Sequence, residues 1–151
     1  MFKVDIVVVA IEKPILIGIY RDKKLIETIS SNEMASDSIP KIFADLMDRL
    51  EIDNILFANG PGSFMAIKVS YIFLKSLSIL TDIKLWSVDG FYFNRNSPIK
   101  AFNNHYFVKS EKEIEIKKIE SPEIEEFKLP EEFKIEDYSS SVEPIYILPA
   151  V

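Results

Sequence analysis

The stretch Asn59-Gly60-Pro61-Gly62-Ser63-Phe64 spends two of the chain's four glycines between an apolar run, Ile55–Ala58, and a longer apolar segment, Phe64–Leu80. Glycine at that density marks backbone that must bend sharply, and Ser63 stands where it would cap the helix that follows. A strand, a Gly-rich elbow and a helix aim the first helical amides at whatever lies above them. Gly60, Gly62 and Ser63 therefore have two readings: a structural elbow, or an anion site for a phosphate or carboxylate. The stretch is not a Walker A loop, because the Gly-Lys-Ser/Thr ending is absent and no nearby lysine can take the phosphate-contacting role.

Other chemical groups are sparse. His105 is the only histidine and follows Asn103-Asn104, a polar turn from which it is expected to face solvent. One histidine with scattered carboxylates has no metal-ligand spacing, so no metal site is expected. Asp89-Gly90 follows a strand end and reads as a turn. Trp86, in the preceding strand, reads as core. No catalytic constellation emerges.

The whole-chain properties narrow the function classes. A length of 151 residues supports one ordinary core, or one core with a small appendage. A net charge of −6 argues against independent gripping of nucleic acid, which needs a concentrated basic surface. The absence of cysteine excludes disulfides, thiol catalysis and cysteine-ligated metals, and fits a reducing, cytoplasmic setting. No signal pattern opens the chain, and Val4–Ile11 is too short to span a bilayer and carries Asp5, so no membrane association is expected.

The elements that must position the elbow follow from periodicity. Val4–Ile11, Ile15–Tyr20 and Lys24–Ser30 are β-rich runs joined by connections too short for anything but antiparallel pairing. A helix capped by Ser36 or Ser38 runs to about Leu50, with Ile39, Ile42, Phe43, Leu46 and Leu50 on one stripe and Pro40 in its first turn. A strand at Ile55, the elbow, the helix Phe64–Leu80 and a strand at Lys84–Val88 complete a crossover unit. The expected fold is α/β: a mixed five-stranded sheet with helices against it, in residues 1–94. Residues 95–151 are expected to form a short, charged second unit. Within it 110–137 reads as a solvated appendage, with Glu113–Ile116 as an exposed edge strand, Ser139–Ser141 as a hinge and Glu143–Leu148 as a last strand.

The helix Phe64–Leu80 is apolar on two sides. Phe64, Ile67, Tyr71 and Leu74 recur on one, and Met65, Val69, Ile72, Ser76 and Ile79 on another. One sheet covers only one side, so the second awaits either another element of the chain or another chain.

These residues carry a resemblance. Asn59-Gly-Pro-Gly-Ser-Phe-Met-Ala-Ile-Lys68 resembles the Gly-Pro-Gly-Ser-Phe-Thr-Gly-Leu-Arg signature of the TsaB (YeaZ) family of bacterial tRNA threonylcarbamoyladenosine biosynthesis proteins. Ser36-Asp37-Ser38-Ile39-Pro40 resembles that family's helix opening, and Pro144-Ile145-Tyr146-Ile147 its Pro-x-Tyr-Leu-Arg close. The resemblance implies a ribonuclease-H-like lobe of the actin, Hsp70 and sugar-kinase superfamily with a reduced second lobe. It also implies a non-catalytic subunit that binds and activates a TsaD-like enzyme in threonylcarbamoyl transfer to adenosine 37 of tRNA. A TsaE-like ATPase belongs to the same system, with tRNA touched only indirectly and ATP and magnesium needed only in the wider complex. The implied docking residues lie on the two helices: Ile42, Leu46, Arg49, Met65, Lys68, Val69, Ile72 and Ser76. The same exposed apolar helices could also pair two free copies of the chain as a homodimer.

The departures bear on cofactors. Where the family has an Asp-Thr-Ser-like turn after the first strand, this chain has Ala10-Ile11-Glu12-Lys13-Pro14, which lacks the carboxylate and hydroxyls suited to Mg-nucleotide. Thr-Gly is replaced by Met65-Ala66 and the arginine by Lys68, which keeps the charge without the bidentate fork. The alternative function, a reduced nucleotide-binding phosphotransferase or hydrolase of the same superfamily, would use the Gly60–Ser63 elbow and requires nucleotide affinity in the isolated chain.

Overall fold

The computed structural model describes residues 2–147, and its organisation follows from one run of sequence. Residues 6–11 are apolar without interruption, so a strand built from them buries side chains on both faces. Strand β1 (Lys3–Val9) does so: Val4, Ile6 and Val8 point into one core, and Val7 and Val9 into another.

Around β1 assembles a five-stranded sheet of order β3-β2-β1-β4-β5, with β2 at Ile15–Arg21, β3 at Lys24–Ser31, β4 at Glu51–Ala58 and β5 at Lys84–Val88. The first three strands are antiparallel, while β1, β4 and β5 are parallel, so the mixed sheet expected from the sequence is the one observed. Asp22 and Lys23 both take positive φ between β2 and β3, as a two-residue hairpin turn matched to strand twist requires. Helices α1 (Ala35–Arg49) and α2 (Phe64–Leu80) cover one face, burying Ile39, Phe43, Leu46 and Leu74 there, while Ile67 at the head of α2 reaches into the second core.

The opposite face is covered by parts of the charged C-terminal half, so the stretch 110–137, mostly exposed as expected, is also anchored on the second core through Phe133 and its partly buried neighbours. A second antiparallel sheet of order β6-β7-β8 (Ile99–Phe102, His105–Ser110, Glu113–Lys118) contributes Ile99 and Phe107 to the second core. Phe133 and Tyr138 join them, with Phe127, Leu129 and Ile135 packed around. The Tyr20 hydroxyl donates to the Pro130 carbonyl at 2.5 Å, and the Leu25 amide donates to the Glu131 carbonyl at 3.0 Å. Phe127, Phe133 and Ile135 each stand between charged residues, so composition alone does not reveal their packing. β8 is an edge strand, as its Glu-Ile alternation predicts.

Three smaller corrections concern ends. The helix α1 begins at Ala35 with Met34 before it and no side-chain cap; Ser38 is buried in the first turns, its Oγ donating to the Met34 carbonyl at 3.0 Å. Ser139–Ser141 is not a hinge, because Ser139 and Ser87 exchange two backbone hydrogen bonds of 2.9 Å at the free edge of β5. The expected last strand is an irregular segment through Ile147, tied down by single bonds, and Leu148 lies outside the described residues.

The elbow sets where α2 starts. Gly60 has φ of +119°, and a Cβ there would lie 2.7 Å from the Ile145 carbonyl oxygen. A Cβ on Gly62 would lie 2.8 Å from the Ile11 carbonyl oxygen, so the turn is wedged between the β1–β2 connection and the C-terminal segment. Ser63 caps α2 as expected, accepting from the Ala66 amide at 3.4 Å.

Phe133→Ala is expected to lower unfolding free energy by about 3 kcal/mol, the cost of emptying a buried aromatic site, while Ile124→Ala at an exposed position stays within about 0.5 kcal/mol. Urea melts of the two variants separate a structural cover from an appendage. Gly60→Ala is expected to cost at least about 1 kcal/mol in the same assay, because both its φ and its space exclude a side chain. Burial raises the Tyr20, Tyr92 and Tyr138 phenols, so the folded chain holds their protons more tightly than the unfolded one. Their contribution is intact below the ordinary phenol value of 10.0 and is lost as pH rises through the folded values, so melting temperature is expected to fall above about pH 10 and less steeply in Tyr20→Phe.

Candidate functional site

Two surfaces deserve chemical weight: the elbow, with its possible anion site, and the outer face of the helix pair. At the elbow the chain uses much of its own polarity. The Ser63 amide donates to the Ile11 carbonyl at 3.2 Å, the Asn59 amide to the Val88 carbonyl at 3.0 Å, and the Gly90 amide to the Gly60 carbonyl at 2.8 Å. With Gly60 and Pro61 buried, the geometry is that of a packed structural turn. Asp89, beyond β5, accepts from the Phe91 amide at 3.1 Å as the cap of a short 3-10 helix, Gly90–Phe93, and pairs with Lys109. That fulfils the turn reading.

A groove of about 340 Å³ opens beside the elbow, between the β1–β2 connection and the first turns of both helices. Ala10 and Ile15 lie at it with Met34, Met65 and Val69, and the lining is mainly apolar. Glu12 borders it, and partial burial raises its carboxyl above the usual range. Among the described residues no group of three or more His, Asp or Glu is placed to hold a metal ion.

The outer face of α2 is the larger feature. Its inner stripe, Ile67, Ser70 and Leu74, is buried against the sheet and α1. Its outer stripe is not: Met65 is 68 % exposed, Ile72 53 %, Ile79 71 % and Leu80 80 %. Val69 is half-buried, and Lys68 and Ser76 are exposed along the same side, with the Ser76 hydroxyl donating to the Ile72 carbonyl at 2.7 Å. The stripe 65-69-72-76-79 alternates steps of four and three, the spacing of a helix seam. No element among the described residues covers it, so the second apolar side read from the sequence is a surface. At the start of α2, Phe64 meets Tyr146 of the C-terminal segment edge-on, with ring centroids 5.5 Å apart.

The expected docking residues divide on inspection. Met65, Lys68, Val69, Ile72 and Ser76 share the outer side of α2. Ile42 is half-buried on α1, packed against the helix-side core. Leu46 is fully buried, because it falls on the stripe with Ile39 and Phe43 that faces the sheet, and so cannot meet a partner. Arg49 is committed within the chain, bonding Asp45 at 3.1 Å and Glu27 of β3 at 3.3 Å; these carboxylates raise its already high pKa. Sequence reasoning missed the exposure of Ile79 as a docking feature and of Leu80, although both follow the same periodicity to the end of α2.

One aromatic residue differs from expectation and one follows it. His105 opens β7 and is half-buried, stacked on Phe102 at 4.5 Å with Nδ1 enclosed and unpartnered. The β6–β7 turn points it inward, a consequence of register that its polar neighbours do not reveal. Trp86 is half-buried, as its strand position implies, and its Nε1 donates to Asn54 Oδ1 at 2.9 Å. No helix among the described residues is long and apolar enough to cross a membrane.

No protein-family model matches the sequence, and no curated protein matches it. Among solved structures the chain is similar to YeaZ from Pseudomonas aeruginosa, with a TM-score of 0.60 at 11 % identity over 82 % of this chain and 67 % of that one. It is also similar to an uncharacterized protein with similarity to peptidase YeaZ from Pseudomonas aeruginosa, with a TM-score of 0.53 at 10 % identity over 82 % of this chain and 63 % of that one. The chain thus spans about two thirds of the length of these structures. At such identities the likeness is one of fold, and the fold of this chain is YeaZ-like.

Proposed function

We propose that the chain is a non-catalytic partner subunit that docks on a TsaD-like enzyme through the outer face of α2 and supports threonylcarbamoyl transfer to adenosine 37 of tRNA. The observation that carries this reading is the exposed apolar stripe from Met65 to Leu80. A soluble-facing helix ordinarily turns polar residues outward, whereas this one keeps a seam that another helix would fill. The YeaZ-like fold and the Gly-Pro-Gly-Ser-Phe signature at the head of that helix support the same assignment. In this reading Met65, Val69, Ile72 and Ile79 supply the apolar contact, and Lys68 sits among them for a carboxylate of the partner.

The chain contributes no chemistry of its own in this role. ATP and magnesium act in the wider complex with a TsaE-like ATPase, and tRNA is gripped by other subunits, in keeping with a net charge of −6. Free copies cover the stripe with one another until the enzyme displaces them.

The test is size-exclusion chromatography with light scattering on the chain mixed with the TsaD-like protein of the same organism. A heterodimer is expected, with Ile72→Glu weakening it at least about thirtyfold, the loss that a central interface residue carries. Ile72 is exposed, so the variant is expected to melt as the parent does. Binding retained in both Val69→Glu and Ile72→Glu would sink the proposal. Calorimetry of the isolated chain with ATP and magnesium is expected to show no heat of binding, and a measurable affinity would favour an enzyme instead.

A further inference from the structure

The segment Ser139–Ile147 lies along the free edge of β5 and ends over the elbow, although nothing in its composition marks it as structural. Its bonds are few and specific. Ser139 pairs with Ser87 through two backbone bonds, and the Ser87 hydroxyl donates to the Ser141 carbonyl at 2.7 Å. Asn59 Nδ2 donates to the Glu143 carbonyl at 2.9 Å, and the Ile145 amide donates to the Asn59 carbonyl at 2.7 Å. Val142 enters the helix-side core, while the Ile145 carbonyl occupies the space that a Cβ of Gly60 would need. All five hydrogen bonds converge on two residues, Asn59 and Ser87, at the carboxyl ends of neighbouring parallel strands. Asn59 Nδ2 also reaches the Ser87 hydroxyl at 3.4 Å, so the two form one buried polar node.

We propose that Ser139–Ile147 is a latch: seated on this node, it fixes the elbow and with it the opening turn of α2, and released, it frees both. The mechanical link is short. Asn59 holds the segment by its backbone carbonyl and its side chain, and Gly60, the next residue, carries the positive φ that sets the direction of α2. Beyond Ile145 the segment lays Tyr146 edge-on against Phe64, the first residue of α2, with both rings partly exposed. A seated latch thus adds an aromatic pair to the head of the apolar stripe, and a released one removes it. The latch operates whether or not a partner occupies that stripe.

Asn59 Oδ1 is enclosed without a partner, so the seated state already leaves one buried acceptor unpaired, and release returns it to water. Few apolar side chains of the segment are buried, Val142 being the deepest. A short segment held by single bonds at an edge belongs to the low-stability end of a fold, where local opening precedes global unfolding.

Native-state hydrogen exchange with mass spectrometry tests the latch on the full chain. Asn59→Ala is expected to speed exchange about tenfold at residues 139–147 and, together with them, at residues 60–68, leaving α1 and the β2–β3 hairpin unchanged. Ser87→Ala, which deletes one bond with little lost volume, is expected to give the same pattern with a rise of about threefold, and so guards against an Asn59→Ala chain that fails to fold. Coordinated acceleration of the two segments in either variant supports the latch. Acceleration confined to residues 139–147 in both, or a uniform rise across the chain in both, would overturn it.

Discussion

The structure depends on a strand that must be buried on both faces. β1 has no polar side to offer water along Ile6–Val9, and a parallel neighbour, β4, carries Ile55–Ala58 in the same condition. Each face therefore needs a cover, and the chain has two of different kinds: a helix pair from residues 35–80 and a small sheet with irregular connections from residues 99–138. The first is visible in any helical reading of the sequence. The second is assembled from single apolar residues spaced among glutamates and lysines, each reaching inward while its neighbours stay wet. Neither cover alone would leave the sheet dry.

Much of the fold was legible because local rules and global packing agree there. The strands β1 to β5, their antiparallel-then-parallel order, the elbow, its Ser63 cap and the two-sided character of α2 all follow from periodicity and connection length. What was not legible concerns residues whose role is decided by distant partners. Ser139 reads as a hinge until Ser87 is placed beside it, and His105 reads as a solvent residue until the β7 register turns it onto Phe102. The family resemblance implies docking through Leu46, yet the residue lies on the stripe with Ile39 and Phe43 that faces the sheet. The charged half misled for a different reason: charge composition reports the exposed side of an element and is silent about the buried one. The uninterrupted run at residues 6–11 held the missing signal, since α1 and α2 can supply only one of the two covers it demands.

The candidate site divides along the same line. Which residues of α2 face outward was readable from spacing, because a helix repeats and the sheet fixes its inner side. Whether the elbow glycines hold an anion or a neighbour was not, since a tight turn and an anion nest draw on the same residue types. The carbonyls of Ile11 and Ile145 pack closely against the two glycines, and both come from segments far from the elbow in sequence. The elbow then matters as a positioning device: it sets the head of a helix whose other side is surface.

The exposed stripe of α2 has a bearing on how the chain behaves in solution. An apolar seam at the surface pulls copies together, while a net charge of −6 pushes them apart. The two forces have different ranges and answer differently to salt. At physiological ionic strength the repulsion is screened beyond about 8 Å, whereas the apolar attraction acts only at contact and is not weakened. Ionic strength therefore sets how long a free copy survives collisions with its own kind, and the acidity of the chain works as a colloidal brake on a helix that the fold leaves bare.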